Sequence, residues 1–208
     1  MSTVQVDAIN ESTTNAGVTV DGVLIKDGQV DGKDVSSLVS GGLVLLSSNT
    51  VTSSSSTSVD NIFTSAYTNY KVIMNFRGSH TGVQYLTMKL RTGGSDNSDS
   101  SYTSGVRTFR LSSDIEFEQR IHEGTDWKLN GWLGSQTNNT VSDDLTIYGP
   151  AVARRTQITG NFITDEVGDQ QTGYLGGSYE ADTTFDGLSI IALGGTWTGQ
   201  INIYGIAE

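Results

Sequence analysis

Apolar and turn-forming residues alternate so rapidly near the start of the chain that only very short strands fit between the turns. Residues 17–32 read GVTVDGVLIKDGQVDG, and three Asp-Gly steps divide them into segments of three or four residues. Asp and Gly favour such turns because both tolerate backbone conformations that most residues avoid. An isolated hairpin of this size is only marginally stable in water. The pattern therefore predicts an extended β arm over residues 1–40 that needs a partner chain.

From residue 41 onward the alternation is longer and more regular. In NYKVIMNFRG, at residues 69–78, the side chains of Tyr70, Val72, Met74 and Phe76 share one face, which is the period-two pattern of a half-buried strand. We find about ten such segments, separated by turns rich in Gly, Asn, Asp and Ser, and no helical period. Residues 41–208 are therefore predicted to form an all-β domain, a jelly-roll-like antiparallel β-sandwich.

Three segments of this domain carry more specific expectations. Residues 69–78 and 83–94 are predicted to be neighbouring antiparallel strands joined by SHTG. SSSSTS at residues 53–58 fits a flexible linker, or else a polar loop or edge strand. Within DWKLNGWLG, at residues 126–134, the Asn-Gly pair predicts a tight hairpin turn.

The composition argues against several classes of site. The 208 residues include no Cys and two His, His80 and His122, so disulfides and Cys nucleophiles are excluded and a zinc site is not expected. The formal net charge of −11 repels phosphate groups, so we expect no nucleic-acid partner. The sequence has neither a run of about 18 apolar residues nor the apolar segment of a signal peptide. We therefore expect no membrane insertion and no signal-directed secretion.

Paired acidic residues are the closest approach to a catalytic set. The pairs Asp143-Asp144 and Asp165-Glu166 have the residue types that glycoside hydrolases use. Adjacent acids in polar segments are more often solvated turn residues, and a short motif is weak support for chemistry. The sequence has no G-x-S-x-G nucleophile motif. We expect no catalytic activity and no cofactor.

A polar loop supplies a weak candidate for a metal site. SDNSDS, at residues 95–100, presents Asp96, Asn97 and Asp99, whose oxygen atoms are of the kind that calcium prefers. The spacing departs from that of the EF-hand loop. An Asx-rich turn is therefore the favoured interpretation.

The three tryptophans are candidates for a glycan-binding surface. Trp127 and Trp132 flank the Asn-Gly turn, and Trp197 lies near the end of the chain. Exposed aromatic rings stack on the apolar faces of sugars, whereas buried rings fill a core or an interface. Burial is the commoner situation for any single Trp.

Several longer stretches resemble structural proteins of tailed bacteriophages. INESTTNAGVTVDGVLIKDGQV, which begins at residue 9, is similar to a repeat in their fibre proteins. Five later segments resemble a C-terminal domain of phage tail-fibre and virion-surface proteins. They are SAYTNYKVIMNFRGS, LTMKLRTGGSDNSDSSY, ITGNF, FDGLSIIAL and TGQINIYGI. The resemblance implies a homotrimer located in the virion, and it carries over no catalytic residue.

A trimer would explain the short strands of the arm. Three chains around one axis can bury apolar side chains that a lone chain exposes, and each contributes about 1.5–3 kcal/mol. The residues expected to form this trimeric anchor are Val4, Val6, Val18, Val20, Val23, Ile25 and Val30.

The resemblance implies a structural protein on the virion surface, as a short tail fibre, a head fibre or a capsid decoration protein. Its expected partners are two further copies of itself, a capsid or tail protein and, for a role in host attachment, host surface glycans. A soluble carbohydrate-binding module without catalysis is the alternative. A glycan-degrading tailspike enzyme is a less favoured one, because such enzymes need a cleft with paired acids.

Overall fold

The computed structural model describes residues 18–20, 23–26, 29–30, 33–34, 42–79, 85–113, 115–130, 140–166 and 169–207. This part of the chain contains strands and turns but no helix. The strands are β1 (Val18–Val20), β2 (Val23–Lys26), β3 (Gln29–Val30), β4 (Lys33–Asp34), β5 (Leu43–Ser54), β6 (Ser56–Val59), β7 (Asn69–Ser79), β8 (Leu86–Thr92), β9 (Ser95–Asp96), β10 (Tyr102–Arg110), β11 (Glu116–Gly124), β12 (Trp127–Lys128), β13 (Thr140–Tyr148), β14 (Arg154–Glu166), β15 (Asp169–Thr183), β16 (Gly187–Ala192) and β17 (Thr196–Ile206).

The chain divides into two compact units, residues 1–42 with 207–208, and residues 43–206. In the first unit, β1 to β4 form an antiparallel sheet in chain order, with strands of two to four residues. Its register pairs Val18 with Ile25, and Ile25 with Val30. Val4 and Val6 lie outside the described residues. The trimeric contacts of the arm and its boundary at residue 40 stay predictions.

The second unit is a sandwich of two antiparallel sheets. One sheet has eight strands, in the order β11-β10-β15-β14-β13-β7-β17-β5. The other has the order β12-β8-β16-β6, and the short β9 pairs with β8. The predicted all-β sandwich is confirmed.

Period-two alternation decides which face of the large sheet is buried. In β7, Tyr70, Val72, Met74 and Phe76 all point into the core, as the sequence predicts. In β13, every second residue from Val141 to Ile147 does the same. The core is completed from the other sheet, chiefly by Leu86, Met88, Leu90, Leu188 and Ile190. The outer face of the eight-stranded sheet carries the alternate residues, which include the exposed side chains of Ile73, Ile163 and Tyr174 as well as polar ones.

Two local expectations are settled by the strand pairing. The prediction that residues 69–78 and 83–94 form neighbouring strands is wrong, because β7 pairs with β13 and β17 whereas β8 belongs to the opposite sheet. Alternation indicates which face of a strand is buried but not which strand lies beside it. For residues 53–58, the edge strand is the correct alternative, since they span the end of β5 and most of β6, and among the described strands β6 pairs with β16 alone, at the end of its sheet.

None of the described residues forms a helix long and apolar enough to cross a membrane.

Two glycines of β15 differ in what they contribute to this fold. A Cβ at Gly173 would overlap the Arg107 carbonyl oxygen and the Phe162 ring, whereas a Cβ at Gly176 would meet nothing within 4 Å. We predict that Gly173→Ala lowers the free energy of unfolding by about 1–3 kcal/mol, as overpacking does. Gly176→Ala, three positions along, is the matched control. Urea unfolding of both variants measures the difference, and equal stability would contradict the packing described for β15.

Candidate functional site

Trp127 lies in the core of the sandwich. Its strand β12 pairs with β8, where Trp127 is opposite Met88. The ring is fully buried, meets Tyr102 edge-on at a centroid distance of 5.4 Å, and donates its Nε1–H to the Ser178 carbonyl oxygen at 3.1 Å. A buried Trp commonly finds such a partner for its N–H group. The ring is not available to a sugar.

Trp197 is also buried and packs against Phe76 at a centroid distance of 5.8 Å. The expectation that Trp127 and Trp197 form a glycan-binding surface is therefore corrected, because both rings fill the core. Trp132 and the turn after Asn130 lie outside the described residues. Asn130 itself is buried, and its Oδ1 accepts a hydrogen bond from the Leu86 backbone N–H at 3.1 Å.

The polar loop at residues 95–100 is held by an arginine. The Arg91 guanidinium pairs with Asp96, donates to Asp60 at 2.7 Å and to the Ser189 hydroxyl at 2.9 Å. The hydrogen bond to Asp60 raises the pKa of Arg91, burial opposes this rise, and Asp96 adds to it. Arg91 therefore occupies the position beside Asp96 that a cation would need.

The remaining loop residues, Asn97 and Asp99, make the contacts of a turn. The Asp99 backbone N–H donates to Asn97 Oδ1 at 3.1 Å, and the Tyr179 hydroxyl donates to the Asp99 carboxylate at 3.1 Å. Within the described ranges, no three His, Asp or Glu side chains are placed to hold a metal ion. These contacts correct the weak metal hypothesis in favour of an Asx-rich turn.

The paired acids Asp143 and Asp144 point to opposite faces of β13. Asp144 is exposed and pairs with Lys71, whereas Asp143 is buried beside Asn130. Neither the Asp143 carboxyl oxygens nor Asn130 Nδ2 forms a well-aligned hydrogen bond. Burial raises the pKa of Asp143 well above its ordinary value, and the Asn130 amide lowers it to a smaller extent. Two carboxylates on opposite faces cannot flank one glycosidic bond, so this pair does not form the arrangement that hydrolysis requires.

The outer face has a trough over β10, β11 and β15, with a volume of about 560 Å³. Gly105 and Gly176 lie directly opposite each other across β10 and β15 and form its floor. A Cβ on Gly105 would meet only the Gln119 carbonyl oxygen, at 3.9 Å, and one on Gly176 would meet nothing. The depression therefore exists because two side chains are missing from the middle of a sheet.

One wall of the trough is an aromatic and charged cluster. Arg107 is opposite Tyr174 in the same strand pair, one outward position from the glycines. The Arg107 guanidinium pairs with Glu116 and lies 5.6 Å from the centre of the Phe109 ring. Its hydrogen bonds to Glu116, chiefly, and to Tyr174 raise the pKa of Arg107. The Tyr174 side chain is held there but remains 48% exposed.

The third strand adds a second charge pair at the edge of the trough. Arg120 is opposite Gly105 in the pair of β10 with β11, and its Nε donates to the Glu118 carboxylate at 2.7 Å. Each arginine of the trough is thus paired with a glutamate. The lining as a whole offers guanidinium donors, carboxylate acceptors and one aromatic ring, with no uncompensated charge.

Sequence reasoning missed this trough, although one signal was present. Glycine in the interior of a strand weakens it and often marks a place where another group approaches closely. GYLGGSYE contains such glycines at residues 176 and 177. Of these two, Gly177 is needed for packing, as Gly173 is, because a Cβ there would lie 2.8 Å from the Thr103 carbonyl oxygen, whereas Gly176 has open space.

No family model matches the chain, and no curated protein matches it. Among solved structures, it is similar to a leech intramolecular trans-sialidase in complex with 2,7-anhydro-Neu5Ac, at 17% sequence identity. The similarity covers 82% of this chain and 27% of the leech protein, with a TM-score of 0.28. At this score the similarity carries no argument about function.

The first prediction from this site concerns Asp96. We expect Asp96→Ala to lower the free energy of unfolding by about 1–3 kcal/mol, because it leaves a buried arginine with fewer partners. Asp182→Ala, an exposed acid on β15, is the control. Removal of calcium with a chelator should leave Tm unchanged. A Tm that falls with chelator and recovers with calcium would show that the loop binds a metal after all.

The second prediction concerns the buried carboxyl group of Asp143. Its pKa is higher in the folded than in the unfolded chain, so the folded state binds more protons once the pH exceeds about 4. The native protein should therefore lose stability as the pH rises above that value. Asp143→Asn removes this loss, and the stability difference between variant and native chain should grow with pH, towards about 1–3 kcal/mol. Urea unfolding across a pH series measures it, and a pH-independent difference would contradict the assignment.

Proposed function

We propose that the chain is a non-catalytic structural protein of a tailed-phage virion, a homotrimer whose arm anchors it and whose sandwich faces outward. The observation that carries the proposal is the arm. Its four strands have two to four residues each and pair only with one another among the described residues. A sheet of such short strands is not stable by itself in water. Even a sheet of three or more strands is stable only when it has an apolar face that other residues cover.

The start of the sandwich also supports a partner chain. Leu43 and Leu45 open β5, directly after the arm in sequence, and are 50% and 55% exposed. They are paired with Ile206 and Tyr204 of β17, which are half-buried. Among the described strands, β5 is at the edge of its sheet, and the unpaired backbone groups of an edge strand can pair with another chain. Apolar side chains grouped on an edge strand are characteristic of an interface.

The virion and the threefold count rest on the sequence resemblance. The buried and opposed positions of Asp143 and Asp144 support the absence of catalysis. Within this proposal, host attachment and capsid decoration differ in copy number. A decoration protein covers the capsid in many copies, whereas a tail fibre is present in a small multiple of three.

The second candidate function is a soluble carbohydrate-binding module without catalysis. The trough over Gly105 and Gly176 is the observation that favours it. This alternative leaves the arm and the exposed leucines of β5 without a role, and it is therefore ranked second.

A further prediction tests the trimer. Deletion of residues 1–40 should convert a trimer into monomers or a weakened trimer, because the arm supplies the shared core. Leu45→Ser should weaken association of the full chain. Leu193→Ser should not, because Leu193, which is 46% exposed, lies on a loop after β16. Analytical ultracentrifugation gives the masses.

A full chain that is monomeric at micromolar concentration would contradict the trimer. A truncated chain that still forms trimers and assembles on virions would show that the arm is not the anchor.

A further inference from the structure

The glycines on the floor of the trough are not explained by the fold. Gly105 and Gly176 have no positive φ angle, so neither needs the conformational freedom of glycine. Both have room for a side chain. A β-branched residue at such a position would strengthen the sheet, because glycine is a poor strand former. What the two glycines provide is a flat, open floor beside Tyr174.

The backbone beneath this floor is already paired. Strand β10 lies between β11 and β15, and β15 lies between β10 and β14. A peptide that binds by adding a strand needs a free sheet edge, whereas the backbone at Gly105 and Gly176 is paired on both sides. The trough, at about 560 Å³, is also in the range of small-molecule sites.

The charges of the lining indicate a neutral ligand. Arg107 is neutralised by Glu116, and Arg120 by Glu118. The chain as a whole has a net charge of −11, which repels phosphate and carboxylate ligands. The two ion pairs still present donors and acceptors to solvent, and these suit a ligand rich in hydroxyl groups.

We propose that the trough over Gly105 and Gly176 binds a neutral saccharide of two or three sugar rings. The apolar face of one sugar ring stacks on the Tyr174 ring. Presenting a rigid aromatic ring costs little conformational entropy. The hydroxyl groups bond to the paired side chains of Arg107 with Glu116 and of Arg120 with Glu118. This inference rests on the proposed function, in which the sandwich faces outward. It adds the class of ligand that the outward face binds.

The test fills the floor without disturbing the fold. The full chain is titrated with maltotriose, cellotriose and chitotriose, and with trigalacturonate as an acidic comparator, while NMR follows the Gly176 amide and the Tyr174 ring. At least one neutral trisaccharide should shift both signals. Gly176→Val should weaken that binding at least about tenfold and leave the free energy of unfolding unchanged or raised. Gly105→Ala is a second variant that adds a smaller side chain to the floor. Thr50 lies on β5, on the same outer face of the sheet, and Thr50→Val is the control that retains binding.

Four results would overturn the inference. Three of them are no response to any of the three neutral sugars, a preference for trigalacturonate, and binding that survives Gly176→Val. A fourth is signal loss at Tyr174 and Gly176 that depends on protein concentration without sugar, since it would make the trough a contact between copies. The mass of each sample is measured in parallel, so that a failed trimer and a failed binding site are told apart.

Discussion

The burial of one face of the eight-stranded sheet is the constraint on which the rest of the structure depends. Because side chains alternate between the two faces of a strand, the register that buries Tyr70, Val72 and Met74 also fixes every residue of the outer face. A slip of one residue in β10 or β15 would turn Gly105 and Gly176 inward and place core side chains in water. The trough is therefore a consequence of the same register that forms the core.

The same constraint separates the neighbouring acids of β13. Asp143 takes an inward position among apolar side chains, and Asp144 takes an outward one beside Lys71. The inward carboxyl group is a cost to stability that its neighbour Asn130 only partly offsets. The structure shows no compensating use for this group in the part of the chain that it describes.

Alternation in the sequence was sufficient to predict the sandwich, since strands such as β7 and β13 carry it over many residues. It was not sufficient to predict that β7 and β8 lie in opposite sheets, because strand pairing is a matter of long-range topology. The environment of Trp127 was equally hidden, since its burial depends on Tyr102 and Ser178, which approach it only in the folded chain. The trough depends on two glycines that become neighbours only through the register of β10 with β15.

The central claim is that three copies join through the arm on the surface of a virion, and electron cryo-microscopy of the particles that carry this chain tests it most directly. The account predicts density with threefold symmetry, with residues 1–40 of each copy near the axis and against the capsid or tail. The sandwich should project outward, with the outer face of the eight-stranded sheet open to solvent. Particles that hold the chain as isolated single copies would contradict the account.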